Sequence, residues 1–204
     1  GRGIDPILYY GTQLMKNLLI LTLAMLLTAC GTVRKVESGA NLVGERMSIN
    51  VDGNWNHLDF PGIKPAQVWT MEGITIDELL VYSGIRDGQI MHPESSAGEK
   101  RKDFVFRKAM QTEEIVSMLE GVLSRDGSTF KLRKLEPFPF GGRKGFRFEY
   151  ERVRKIDNVQ MRGVGFGAID KEELFALVYQ APRLTFFPRH QSRIETIAKA
   201  VSIK

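Results

Sequence analysis

A single cysteine, Cys30, closes an apolar run near the start of this 204-residue chain, and its placement constrains everything that follows. Met15-Lys16-Asn17 leads into uninterrupted apolar and small residues from Leu18 to Leu27, and Thr28-Ala29 then precede Cys30. A start methionine with one positive charge, an apolar stretch and a small-residue cleavage point together make the layout of an export signal. The run is too short to cross a bilayer, which needs roughly 20 apolar residues in a helix. With no second cysteine, no intrachain disulfide can form, so the folded part depends on core packing alone.

Leu27-Thr28-Ala29-Cys30 resembles the lipobox of bacterial lipoproteins. The resemblance implies cleavage between Ala29 and Cys30, diacylglycerol on the Cys30 sulfur, and often a further acyl chain on its new amine. Two alternatives stay open: Cys30 as an ordinary thiol beside a conventional cleavage site, or the apolar run as an uncleaved anchor. Lipidation also accounts for the lone cysteine, which would otherwise enter an oxidising compartment unpaired. Two or more acyl chains hold stably, since each buried methylene contributes about 0.8 kcal/mol and one chain alone is marginal. Gly31 follows the cysteine where, in enterobacterial lipoproteins, Asp would signal inner-membrane retention. The same resemblance therefore favours the periplasmic face of the outer membrane.

Four segments follow from this reading. Residues 1–14 precede Met15 and are read as an over-extended gene start or a cloning remnant, with a native extension of the charged region as the alternative. Residues 15–29 are the signal peptide. Residues 30–45 are polar, carry Gly and Ser and lack a sustained apolar period, so a flexible tether is expected, with a reach of roughly 20 Å. Residues 46–204 form a single domain, consistent with 43% hydrophobic and 26% charged residues and no internal repeat.

Within the domain, strands are predicted over 46–51, 66–70, 74–81 and 103–110, with a polar loop from His92 to Lys102. From Thr112 the period changes. Ile115, Met118, Leu119, Val122 and Leu123 recur at three and four, Thr112 can cap the first turn, and Glu113 and Glu114 complement the positive helix end. A strand follows over 129–135, a connector over 136–144, and then the clearest alternation of the chain. There Phe146, Phe148 and Tyr150 point one way, and Arg147, Glu149 and Glu151 the other, as expected for a sheet with one buried and one wet face. A hairpin over 161–169 and 174–181 precedes a terminal helix over 188–201, with Pro188 in its first turn.

The expected fold class is α+β, a two-layer arrangement of antiparallel sheet packed against a mid-chain helix and a C-terminal helix. Helix, antiparallel meander and terminal helix, in that order, resemble the PsbP-like fold of photosystem accessory proteins and several small bacterial lipoproteins. That resemblance implies a binding or assembly accessory role without catalysis.

Chemistry-bearing patterns are sparse. His57, His92 and His190 are scattered, no cysteine cluster is possible, and neither a metal nor a cofactor is expected. Gly163, Gly165 and Gly167 share a strand face and are not followed by a helix, so they read as a smooth packing strip rather than a dinucleotide loop. Glu149 and Glu151 would stand about 7 Å apart, a spacing that glycan hydrolysis can use. Lys131 and Arg133 on the preceding strand offer cross-strand ion pairs to them instead.

Two features suggest binding. Basic residues crowd residues 125–155, with Arg143, Lys144 and Arg147 as candidate contacts for anionic lipid, lipopolysaccharide or wall polymer. Phe138 and Phe140 either fold under as core or present an apolar knob to another envelope protein. Removing Arg2, Asp5 and Lys16 from the net +5 leaves +4 from Cys30 onward, too mild for a nucleic-acid partner. The leading expectation is a noncatalytic, lipid-anchored envelope protein that binds or helps assemble other components. An anionic-ligand binder and an envelope hydrolase are the alternatives.

Overall fold

Alternation drives the centre of the fold. A computed structural model describes residues 15–17, 31–60, 63–92 and 104–204; the lipobox with Cys30 lies outside them. The strands are β1 (Thr32–Val36), β2 (Gly39–Val43), β3 (Met47–Val51), β4 (Trp55–Asp59), β5 (Gln67–Thr70) and β6 (Glu78–Ile85). Helix α1 (Thr112–Ser124) separates these from β7 (Thr129–Phe140), β8 (Arg143–Val153), β9 (Gln160–Asp170) and β10 (Glu173–Pro182). Helix α2 (Phe186–Lys199) and the short β11 (Ser202–Ile203) close the chain. Eight strands form one sheet in the order β1-β4-β5-β6-β10-β9-β8-β7, and three form a small sheet in the order β11-β3-β2.

The meander β7 to β10 is held in register by a glycine ladder. Phe146, Phe148 and Tyr150 of β8 stand opposite Gly167, Gly165 and Gly163 of β9. A Cβ at Gly165 would lie 2.2 Å from Phe148, and one at Gly163 would lie 2.1 Å from Tyr150, so the rings lie across the glycine backbone. The strip is a packing surface, and only residues without a side chain fit it.

On that face the three rings join Leu174, Ala176 and Val178 of β10 and the apolar stripe of α1 in one core. Six α1 side chains are buried there, Ile115, Val116, Met118, Leu119, Val122 and Leu123. Full burial of such side chains contributes about 1.5 to 3 kcal/mol each, enough to fix a 13-residue helix that would be marginal alone. The helix begins one residue later than its cap. Gln111 holds the cap position, and its backbone N–H donates to the Glu114 carboxylate at 2.7 Å, so Thr112 is the first helical residue and not the cap.

The opposite face of the same sheet is also buried. Val164 and Phe166 of β9, with Phe175, Leu177 and Tyr179 of β10, pack with Phe187, Ile194 and Ile197 of α2 and with Met47 and Ile49 of the small sheet. The two helices therefore sit on opposite faces of the antiparallel sheet. The expected α+β fold, an antiparallel sheet packed against a mid-chain and a C-terminal helix, is the one observed, while the expected wet face of β8 is partly covered by α2, which buries Arg147.

Among the boundaries that differ from expectation, four have clear local reasons. The segment 31–45, expected as a tether, contributes β1 and β2, and Val36 and Val43 are buried in the core. The predicted strand over 74–81 starts at Glu78 instead. Before it the chain turns, because the Asp77 carboxylate accepts the Thr70 hydroxyl and the Met71 and Glu72 backbone N–H groups. Residues 104–110 form no strand beyond one bridge between Val105 and Ile90; Phe104 and Phe106 are apolar because they fill the α1-side core. The connector over 136–144 belongs to β7 and β8, joined at Gly141-Gly142 with φ of +61° and +76°. Positive φ at both central residues is what the tight hairpin turn requires, and β7 is an edge strand, where Pro137 and Pro139 need no ladder donors.

Candidate functional site

The basic face expected to bind anions is neutralised from within. Arg147 is only 7% exposed, and three carboxylates surround its guanidinium. It donates to Glu136 at 3.0 Å, to Glu149 at 2.7 Å and to Glu195 of α2 at 2.5 Å. Burial opposes the charge on Arg147, yet the bonds to Glu195 and Glu149 outweigh it and raise its pKa. Arg162 adds a second cation, 3.0 Å from Glu149 and over the Phe187 ring. Arg147 is thus a structural pin between β8, β7 and α2, and it has no charge to spare for a ligand.

Arg143 is also engaged, through Asp170 at 2.6 Å. Asp170 is shared with Arg46, which also binds Glu173 at 2.7 Å and the Lys204 carbonyl at 2.7 Å. This cluster ties the start of β3, the β9–β10 turn and the C-terminus together. Lys144 is exposed on the α1 side of the sheet, beside Gln111 and Glu113, so strand alternation separates it from Arg143 and Arg147. The three residues do not form one patch.

Phe140 is fully buried, and Phe138 is half-buried with its ring 5.1 Å from that of Phe166. Neither makes an exposed knob, because alternation along β7 turns both toward the α2-side core.

The two acidic candidates are held as anions. Burial alone would raise the Glu149 pKa, but hydrogen bonds from Arg147 and Arg162 bring it below the ordinary value. A bond from Arg133 lowers that of Glu151. A glycoside-cleaving pair needs one carboxyl whose pKa is raised so that it can donate a proton, and this pair has both lowered. His190 is buried and bonded to Glu72 at 2.7 Å, a contact between α2 and the turn after β5. Among the described residues no group of His, Cys, Asp and Glu is arranged to hold a metal ion.

The structure instead assembles a cleft at the β1-β4-β5 margin of the large sheet, about 680 Å³ in volume. Arg34 from β1, His57 and Asp59 from β4, Lys64 and Gln67 at the start of β5, and Gln89 after β6 line it. Arg34 Nη2 lies 2.9 Å from His57 Nδ1, and a guanidinium can only donate, so Nδ1 accepts. Burial lowers the His57 pKa, the Arg34 charge lowers it further, and Asp59 opposes both. The imidazole is accordingly neutral near pH 7. Arg34 and Lys64 are exposed cations and Asp59 is the one acid in the lining, over an apolar base of Ile63, Pro65 and Ala66. Such an arrangement can hold an anion against a partly apolar surface.

No local pattern in the sequence marks this cleft. Its residues come from four separated segments, Arg34 falls in the expected tether, and the β4 segment Trp-Asn-His-Leu-Asp reads as polar loop. The signal available in the sequence was His57 between flanking apolar Trp55 and Leu58, both buried in the fold.

No protein-family model matches the chain, and no curated protein sequence matches it. Solved structures similar in fold include cyanobacterial PsbP from Synechocystis sp. PCC 6803, at 13% identity and a TM-score of 0.47, covering 83% of this chain and 99% of that one. LpqN, involved in cell envelope biogenesis of Mycobacterium tuberculosis, is similar at 12% identity and a TM-score of 0.43, covering 85% and 91%. A protein of unknown function from Pseudomonas aeruginosa, PA94, is similar at 13% identity and a TM-score of 0.40, covering 80% and 96%. At these identities the likeness is one of fold.

Proposed function

We propose that this chain is a bacterial envelope lipoprotein, anchored through lipid on Cys30, whose domain binds or helps assemble other envelope components without catalysing a reaction. The observation that carries the reading is Leu27-Thr28-Ala29-Cys30 at the end of the signal-like stretch from Met15, with Cys30 the only cysteine of the chain. The domain supports it in a second way. Its carboxylate pair and its most crowded basic face are both committed to ion pairs that hold strands and helix together. Gly31 after the cysteine favours the outer membrane.

Fractionation of bacteria expressing the chain from Met15, wild type against Cys30→Ser, tests this. The wild type is expected as a processed product sedimenting with outer-membrane density, and the variant as an unprocessed precursor that never reaches that density. Equal processing and equal distribution of the two would overturn the reading.

A further inference from the structure

We propose that the cleft at the sheet margin docks on the anionic phospholipid surface of the membrane that carries the chain's own anchor. The inference rests on the lipoprotein reading and adds to it a second, electrostatic contact made by the folded domain.

Chain length carries the first step. β1 begins at Thr32, two residues beyond Cys30, and lies at the margin of the eight-stranded sheet. At no more than about 3.6 Å per residue, Arg34 lies within roughly 14 Å of an acylated Cys30. The lipid headgroup zone is itself roughly 5 to 8 Å deep on each side of the hydrocarbon core. A long guanidinium side chain on β1 therefore reaches the phosphate level with no tether between.

Charge supplies the second step. Arg34 and Lys64 project into the cleft, Lys35 lies on the other side of the same strand, and all three are exposed. Arg107, also exposed, reaches Gly88 at the cleft wall, with its Nη1 3.3 Å from where a Cβ on Gly88 would stand. Of the acids, Asp59 lines the cleft, Asp87 beside Gly88 accepts the Lys108 backbone N–H, and exposed Glu37 follows the end of β1. On the far sheet strands, Arg143, Arg147, Arg152 and Arg154 each hold a carboxylate. Among the described residues Arg34 bonds only to neutral His57, and no ion pair takes Lys35 or Lys64. The cleft margin thus carries a group of exposed cations free of ion pairs among the described residues, at the end of the chain that the anchor holds against the bilayer. Cations at the level of anionic headgroups are drawn to them, and salt screens that attraction.

Once Cys30 is acylated the chain has no other thiol, so single cysteines report which surface faces the membrane. Gln89→Cys reports the cleft wall. Leu184→Cys, 83% exposed and just beyond β10, reports the far end of the strands, since Gln180 pairs with Glu78 while Leu174 pairs with Ile85. The acylated full chain, purified and reconstituted in vesicles, is labelled with a charged maleimide that does not cross bilayers. Phosphatidylcholine vesicles are compared with the same vesicles containing phosphatidylglycerol.

Phosphatidylglycerol is expected to slow labelling at Gln89→Cys several-fold and to leave Leu184→Cys unchanged. High salt, or Arg34→Glu with Lys64→Glu, is expected to restore the rate. Equal rates on both vesicles at Gln89→Cys, in a protein shown by mass to be acylated, would overturn the docking inference and leave the lipoprotein reading intact. Protein recovered with a free Cys30 thiol would overturn both.

Discussion

At the scale of single residues, Arg147 shows how little a count of charges says about binding. It lies in the most basic stretch of the sequence, yet Glu136, Glu149 and Glu195 converge on it from three elements. Nothing in the local sequence foretells Glu195, because α2 is 48 residues away and meets β8 only once the sheet has formed. Arg147→Met should leave three partly buried carboxylates without their shared cation. Chemical unfolding at pH 7 should show a loss of roughly 3 kcal/mol, the lower end for breaking a buried pair. The pH dependence follows from the lowered pKa of Glu149, which burial would raise and hydrogen bonds from Arg147 and Arg162 hold down. A carboxylate whose folded pKa is depressed contributes stability above its unfolded pKa, and that stability is lost as pH falls through the folded value. The gap between wild type and Arg147→Met should therefore narrow as pH drops below about 4, the ordinary carboxylate range. A gap that stays constant down to strongly acid pH would show that Arg147 acts through packing alone.

At the scale of elements, legibility follows burial. β8, β9, β10 and α1 could be read because each presents a long periodic apolar face, as with Phe146, Phe148 and Tyr150 against their glycine partners. β1, β2 and β4 could not. Each is five residues long; β1 and β2 are edge strands that bury only Val36 and Val43, and β4 mixes polar Asn56 and His57 with buried Trp55 and Leu58, so alternation has little to act on. The prolines at 137 and 139 broke the apparent strand, although at an edge they cost no hydrogen bond. The cleft was illegible for the same reason as β1 and β4, which supply its Arg34 and His57. The glycine ladder gives a direct test of the β8–β9 packing. Gly165→Ala alone should destabilise by about 1 to 3 kcal/mol, because its Cβ would collide with the Phe148 ring. In a Phe148→Ala background the same change should cost under about 0.5 kcal/mol, a coupling readable as a double-mutant cycle in urea unfolding. Additive effects would mean that the ring and the glycine are energetically independent.

At the scale of the whole molecule, the proposed lipid site at Cys30 precedes Thr32, the first residue of β1, by two positions. Two cores on opposite faces of one sheet hold the domain without a disulfide or a metal ligand set among the described residues. Cys30, the single thiol of the chain, is the residue that the proposed acylation would use. The orientation of the cleft toward the bilayer follows only if that acylation occurs. The most direct measurement is the intact mass of the chain expressed from Met15 in a bacterial host and purified from membranes. The account predicts a product that begins at Cys30, lacks residues 15–29 and carries the added mass of diacylglycerol, with or without a further acyl chain. A product that retains the signal segment, or that begins at or beyond Cys30 without added lipid mass, would contradict it.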